Sequence, residues 1–121
     1  MTLSILVVDD RQDMRLLVSE YLLRLGHEVK VEPGGREAVA VLESGRRFDA
    51  VFTDLRMPSV GGEVVLRTAR RRLPNAKLIL MTASDLHPAL VRVIRAAGAD
   101  EIMEKPFSME GLETILARLF P

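Results

Sequence analysis

The chain has 121 residues, 48% hydrophobic and 28% charged, with no cysteine. This is the composition of one globular domain, and it excludes a disulfide framework, a thiol nucleophile and a thiolate metal site. Its 17 basic residues balance 17 acidic ones, so no global field draws it to nucleic acid or to an anionic membrane. The opening MTLSILVV lacks the basic segment and cleavage site of a signal peptide, and no apolar run approaches the roughly 20 residues that span a bilayer; a cytoplasmic location is expected.

The first apolar run, Leu3 to Val8, is continuous, as in a strand covered on both faces, and it closes on Asp9 and Asp10. Met14, Leu17, Val18, Tyr21, Leu22 and Leu25 then follow helical spacing, with Gly26 as the stop. A weaker, edge-like strand spans His27 to Glu32, and Pro33-Gly34-Gly35 turns the chain into a second helix that ends near Gly45. Phe48 to Thr53 is the third strand, closing on Asp54. Met57-Pro58 and Gly61-Gly62 mark the loop before a third helix, about Glu63 to Arg72. Ala76 to Thr82 reads as a buried strand, and Pro88 suits the first turn of a fourth helix that Gly98 ends. Glu101 to Met103 is a short last strand, and Ser108 caps a final helix carrying Leu112, Ile115, Leu116 and Leu119.

Strands alternating with helices predict an α/β fold: a three-layer (αβα), doubly wound, five-stranded parallel sheet with five helices, one domain over residues 1–121, for which the strand order taken is 2-1-3-4-5. Ligands of such sheets bind at the carboxyl ends of the strands, near the switch point. Asp9, Asp10, Asp54, Thr82 and Lys105 all converge there. Carboxylates this close repel, by roughly 4 kcal/mol at 4 Å and an effective dielectric of 20, so a positive charge belongs among them. Oxygen donors without histidine or thiolate suit a hard cation such as Mg²⁺, and a Lys and a hydroxyl on the same rim complete a phosphoryl-binding set. Asp54, on the central strand, is the natural acceptor for an aspartyl-phosphate.

These residues carry a resemblance. VVDD at 7–10, TDLRMP at 53–58 with Gly62, MTA at 81–83, GAD at 98–100 and KPF at 105–107 together resemble a response-regulator receiver domain over essentially the whole chain. The resemblance implies that Asp54 accepts a phosphoryl group from a sensor histidine kinase or a phosphotransfer protein. It implies Mg²⁺, with Mn²⁺ as a substitute, held by Asp10, Asp54 and the main-chain carbonyl of Arg56, with Asp9 acting largely through water. Thr82 would bind a phosphoryl oxygen, Lys105 would pair with Asp54 or its phosphate, and the bond to Pro106 would be cis. Such a domain catalyses its own phosphorylation and dephosphorylation but turns over no external substrate. The face formed by the fourth helix, fifth strand and fifth helix would signal to a downstream effector or form a homodimer. Arg92, Arg95, Glu104 and Glu113 are expected at its surface, and no direct nucleic-acid or membrane binding is expected of the domain.

Three departures stand out. Ile102 occupies the strand-five position where receivers commonly carry Tyr or Phe; Ile is short and stiff at χ1, which excludes an aromatic rotamer switch alongside Thr82. Gly61 replaces a common Asp, which costs a helix cap rather than a metal ligand. Arg56 and Ser84 resemble positions that tune phosphate lifetime.

Competing readings are weaker. Ile102 motivates a degenerate receiver that binds its partner independently of phosphorylation. A haloacid-dehalogenase-like phosphatase would want Asp-x-Asp, but Arg11 stands two residues after Asp9. Flavodoxin-like cofactor binding would want a hydroxyl-rich loop and aromatic stacking partners. Arg70-Arg71-Arg72 reads as cations complementing a helix dipole, the Met residues and Tyr21 as core, and His27 and His87 lack ligand spacing. Either the receiver stands alone or it is cut from a longer regulator; the closing Phe120-Pro121, as the start of a linker, favours the second.

Overall fold

Strands with no polar face make the centre of the molecule. The computed structural model describes residues 1–83 and 86–121. In chain order it shows β1 (Ser4–Val8), α1 (Gln12–Arg24), β2 (Glu28–Glu32), α2 (Gly35–Glu43), β3 (Ala50–Asp54), α3 (Gly62–Arg72), β4 (Lys77–Thr82), α4 (Pro88–Ala97), β5 (Glu101–Glu104) and α5 (Met109–Leu119). The strands form one parallel sheet, as the alternation of elements predicts, in the expected order β2-β1-β3-β4-β5. Among the described residues no helix is long and apolar enough to cross a membrane.

Alternate residues of β1, β3 and β4 feed two cores. Leu6, Val8, Val51, Leu78 and Leu80 pack against α2, α3 and α4 through Ala38, Leu42, Val65, Leu66 and Ile94. Ile5, Val7, Phe52, Ile79 and Met81 pack on the other side against Val18 and Leu22 of α1 and Leu112 and Leu116 of α5. Tyr21 is half-buried against this second core, and Met81 and Met103 lie within it.

Element ends follow local chemistry. Ser108 Oγ accepts from Gly111 N at 3.0 Å and caps α5. Pro88 opens α4 and Gly98 closes it at φ +124°, a conformation that L side chains rarely adopt. Gly61 is the N-cap of α3 and supplies no side-chain bond. Four strands start later than the apolar pattern predicts: β1 at Ser4, β2 at Glu28, β3 at Ala50 and β4 at Lys77. His27 precedes β2 because its Nδ1 accepts from Leu3 N at 3.1 Å. Phe48 is buried but precedes β3, because the chain at Asp49 is held by Ser4: Ser4 N donates to Asp49 Oδ2 at 2.8 Å and Asp49 N to Ser4 O at 2.7 Å. β3 in turn runs one residue further than predicted, so Asp54 lies in the ladder opposite Met81.

Arg70 ties α3 to the far side of the sheet. Its Nη1 donates to the carbonyls of Pro74 and Ala76, each at 3.0 Å, and its Nη2 to Gly98 O at 2.8 Å and Asp100 Oδ2 at 2.9 Å.

Candidate functional site

Parallel strands expose their carboxyl ends along one edge, and the acidic residues gather there. Asp9 follows β1 and is fully buried; Asp54 ends β3 and is nearly so; Asp10 is exposed. One carboxylate oxygen from each lies within 4.8 Å of the others, the arrangement of a cation site among the described residues.

One ammonium reaches into this group. Lys105 Nζ donates to Asp9 Oδ2 at 2.7 Å and lies 3.6 Å from Asp54 Oδ1. Its side chain is only 8% exposed, so the charge is committed to these acids. The Lys is held in turn by its own backbone, whose N–H donates to Thr82 O at 2.7 Å. Thr82 ends β4 and is buried, which brings its residue to the same edge. The Lys105–Pro106 peptide bond is cis.

Each acid is oriented locally. Asp9 Oδ1 accepts from Arg11 N and Asp54 Oδ1 from Leu55 N, both at 2.9 Å. Burial pushes the Asp54 carboxyl above its usual range; Lys105 and the Leu55 amide pull it down, while Asp9 and Asp10 push it up. The loop beyond Asp54 packs closely: Gly62 N donates to Leu55 O at 2.8 Å, and a Cβ on Gly62 would stand 2.1 Å from Asp54 O. Glycine is therefore required there for a steric reason, whatever the φ.

A scan against family models matches residues 5–117 to the response regulator receiver domain. The chain belongs to that family. The chemotaxis protein CheY of Thermotoga maritima is 33% identical over 85% of this chain and 85% of its own. The response regulator protein FleR of Pseudomonas aeruginosa is 32% identical over 98% of this chain but only 24% of its own. The chain thus spans less than half the length of several curated relatives that it matches. Among solved structures, the Vibrio cholerae chemotaxis protein CheY4 superposes with a TM-score of 0.90 at 30% identity, covering 99% of this chain and 100% of that one. The response regulator TrrA of Thermotoga maritima, solved in complex with Mg²⁺-BeF, superposes with a TM-score of 0.84 at 32% identity, covering 97% and 98%. Receiver domains are signalling domains that work with histidine kinases and effector domains rather than enzymes that turn over a substrate.

In this receiver the sheet edge brings Asp9, Asp10, Asp54, Thr82 and Lys105 together. Arg56 is exposed. Ile102 lies behind the edge, paired with Leu80 and packed half-buried against the α2–α3–α4 core. Arg92, Arg95, Glu104 and Glu113 are exposed. Ser84 lies outside the described residues. Arg15 was not legible as part of the site: its Nη1 donates to Asp9 O at 2.9 Å and pins the first turn of α1 to the end of β1. Nothing in its sequence position distinguishes it from a solvated helix arginine.

Proposed function

We propose that this receiver takes a phosphoryl group from a phosphohistidine of a sensor kinase or phosphotransfer protein onto Asp54. An Asp54 carboxylate oxygen attacks phosphorus, the P–N bond breaks, and its electron pair returns to the imidazole. The observation that supports this is the shared edge, where three carboxylates have oxygens within 4.8 Å and a nearly buried Lys hydrogen-bonds Asp9 and forms a longer ion pair with Asp54.

The donor set fits a hard divalent cation: all oxygen, part buried and part open. Asp10 and Asp54 would hold it with the Arg56 carbonyl, and Asp9 would stand behind. Bound there, Mg²⁺ or Mn²⁺ supplies neutralisation of the acids and of the phosphoryl oxygens. The chain's own groups do the remainder. Lys105 presents a fixed countercharge that needs no reorganisation during transfer, and the Thr82 hydroxyl would donate to a phosphoryl oxygen. The Leu55 N–H and Lys105 orient the Asp54 carboxylate.

Output is proposed to leave through α4, β5 and α5, toward an effector or a second copy. Ile102 already packs inward, so displacement of Thr82 and the backbone around it would carry the change, not a swinging ring. The test is a titration of Mg²⁺ with beryllofluoride followed by amide NMR. Shifts spread from the strand ends in the native protein and vanish in Asp54→Asn; unchanged native spectra defeat the proposal. Partner capture unaltered by Asp54→Ala would instead support a phosphorylation-independent module.

A further inference from the structure

Opposite the acidic edge, four arginines from two separate segments meet around one depression. Arg46 and Arg47 follow α2, and Arg71 and Arg72 end α3; together they line a hollow of about 270 Å³ that also contains Leu42 and Leu73. We propose that this hollow is a binding site for a small oligophosphate anion, two or more linked phosphate groups.

Helix dipoles do not account for the cluster. The carboxyl ends of α2 and α3 contribute roughly half a negative charge each, and Glu43 adds one. Four guanidiniums leave about two positive charges over, in a chain whose net charge is zero. A neighbouring depression of about 320 Å³ shares Arg47, Arg72 and Leu73 and has Asp49 in its wall, so the surplus is greatest in the first hollow. The contrast with Arg70 is instructive. That residue spends its donors on three carbonyls and Asp100 and is structural. Arg47 has no hydrogen-bond or ion-pair partner among the described residues, although it lines both hollows.

The other three are held in place, which lowers the ordering cost of binding. Arg46 stacks over the Phe48 ring at 5.3 Å. Arg71 pairs with Glu43 Oε1 at 2.5 Å, and Arg72 donates to Glu43 O at 3.2 Å. Guanidinium forks match phosphate oxygens two at a time. Linked phosphates also concentrate charge as this hollow does, whereas an acidic peptide spreads one charge per residue along roughly 3.3 Å of chain.

The test is calorimetric titration of tripolyphosphate into the full chain, with EDTA present so that the acidic edge carries no cation. Saturable one-to-one binding is expected. Arg47→Gln and Arg72→Gln should each weaken it about tenfold or more, Arg92→Gln on α4 should leave it unchanged, and orthophosphate should bind more weakly. Absence of saturable binding, equal loss in Arg92→Gln, or hexaglutamate binding as tightly as tripolyphosphate would each overturn the assignment.

Discussion

Lys105 and Asp9 form a 2.7 Å hydrogen-bonded ion pair between residues 96 positions apart. Asp9 is fully buried and the Lys side chain is 8% exposed, so this pair closes β5 onto β1 over the intervening β3 and β4. Breaking a buried pair leaves an uncompensated charge. Lys105→Met should therefore lose ~3 kcal/mol in urea unfolding, at the lower end of such losses because Asp10 opens the site to solvent. In the double variant with Asp9→Asn the loss should be clearly smaller than the sum of the two singles. Additive losses would show that the pair is not coupled.

Asp54 bears the opposite burden. Burial and its acidic neighbours raise its carboxyl pKa, which means that the ionised form is disfavoured in the folded state. Stability linked to this group is full at low pH and is lost as pH rises, so at neutral pH its charge is destabilising. Asp54→Asn should melt a few degrees higher than the native protein in EDTA, and added Mg²⁺ should narrow the gap by stabilising only the native protein. A lower melting temperature for the variant would contradict this.

His27 gives the fold a pH dependence far from the acids. Its Nδ1 accepts from Leu3 N, and burial, with the positive N-terminus, holds its pKa below the ordinary histidine value of 6.5. The unfolded chain then takes up a proton first on acidification. The stability it contributes is full above 6.5 and declines as pH falls through the folded pKa. Urea midpoints measured at mildly alkaline and mildly acidic pH should converge partway when His27→Gln is introduced. An unchanged slope would remove His27 from the account.

Gly62 couples the loop after β3 to the site. A methyl there meets Asp54 O at 2.1 Å and Leu55 Cα at 2.9 Å, both backbone atoms with little room to move. Gly62→Ala should cost about 1–3 kcal/mol of stability by overpacking and weaken the response to Mg²⁺ with beryllofluoride. Native stability with a native response would show that the loop relaxes freely.

Much of this was readable in the chain. Continuous apolar runs ending in acids predict buried parallel strands with a carboxylate edge, and sheet order brings Asp9, Asp54, Thr82 and Lys105 to one place. What local pattern could not supply was long-range contact. Periodicity marks Phe48 as strand, but Asp49 and Ser4 hold the turn before β3. Nothing near Arg15 announces that it bonds Asp9 O. Arg71 and Arg72 read as dipole complements until the fold sets Arg46 and Arg47 beside them. Ile102 was visible as a departure, but only packing shows it half-buried against the α2–α3–α4 core.

The most direct test of the central proposal is mass analysis after incubation with acetyl phosphate and Mg²⁺. The intact chain is expected to gain one phosphoryl group, mapped by peptide analysis to Asp54, while Asp54→Asn gains none. Modification at another residue, or none in the native protein while the beryllofluoride response is also absent, would contradict it.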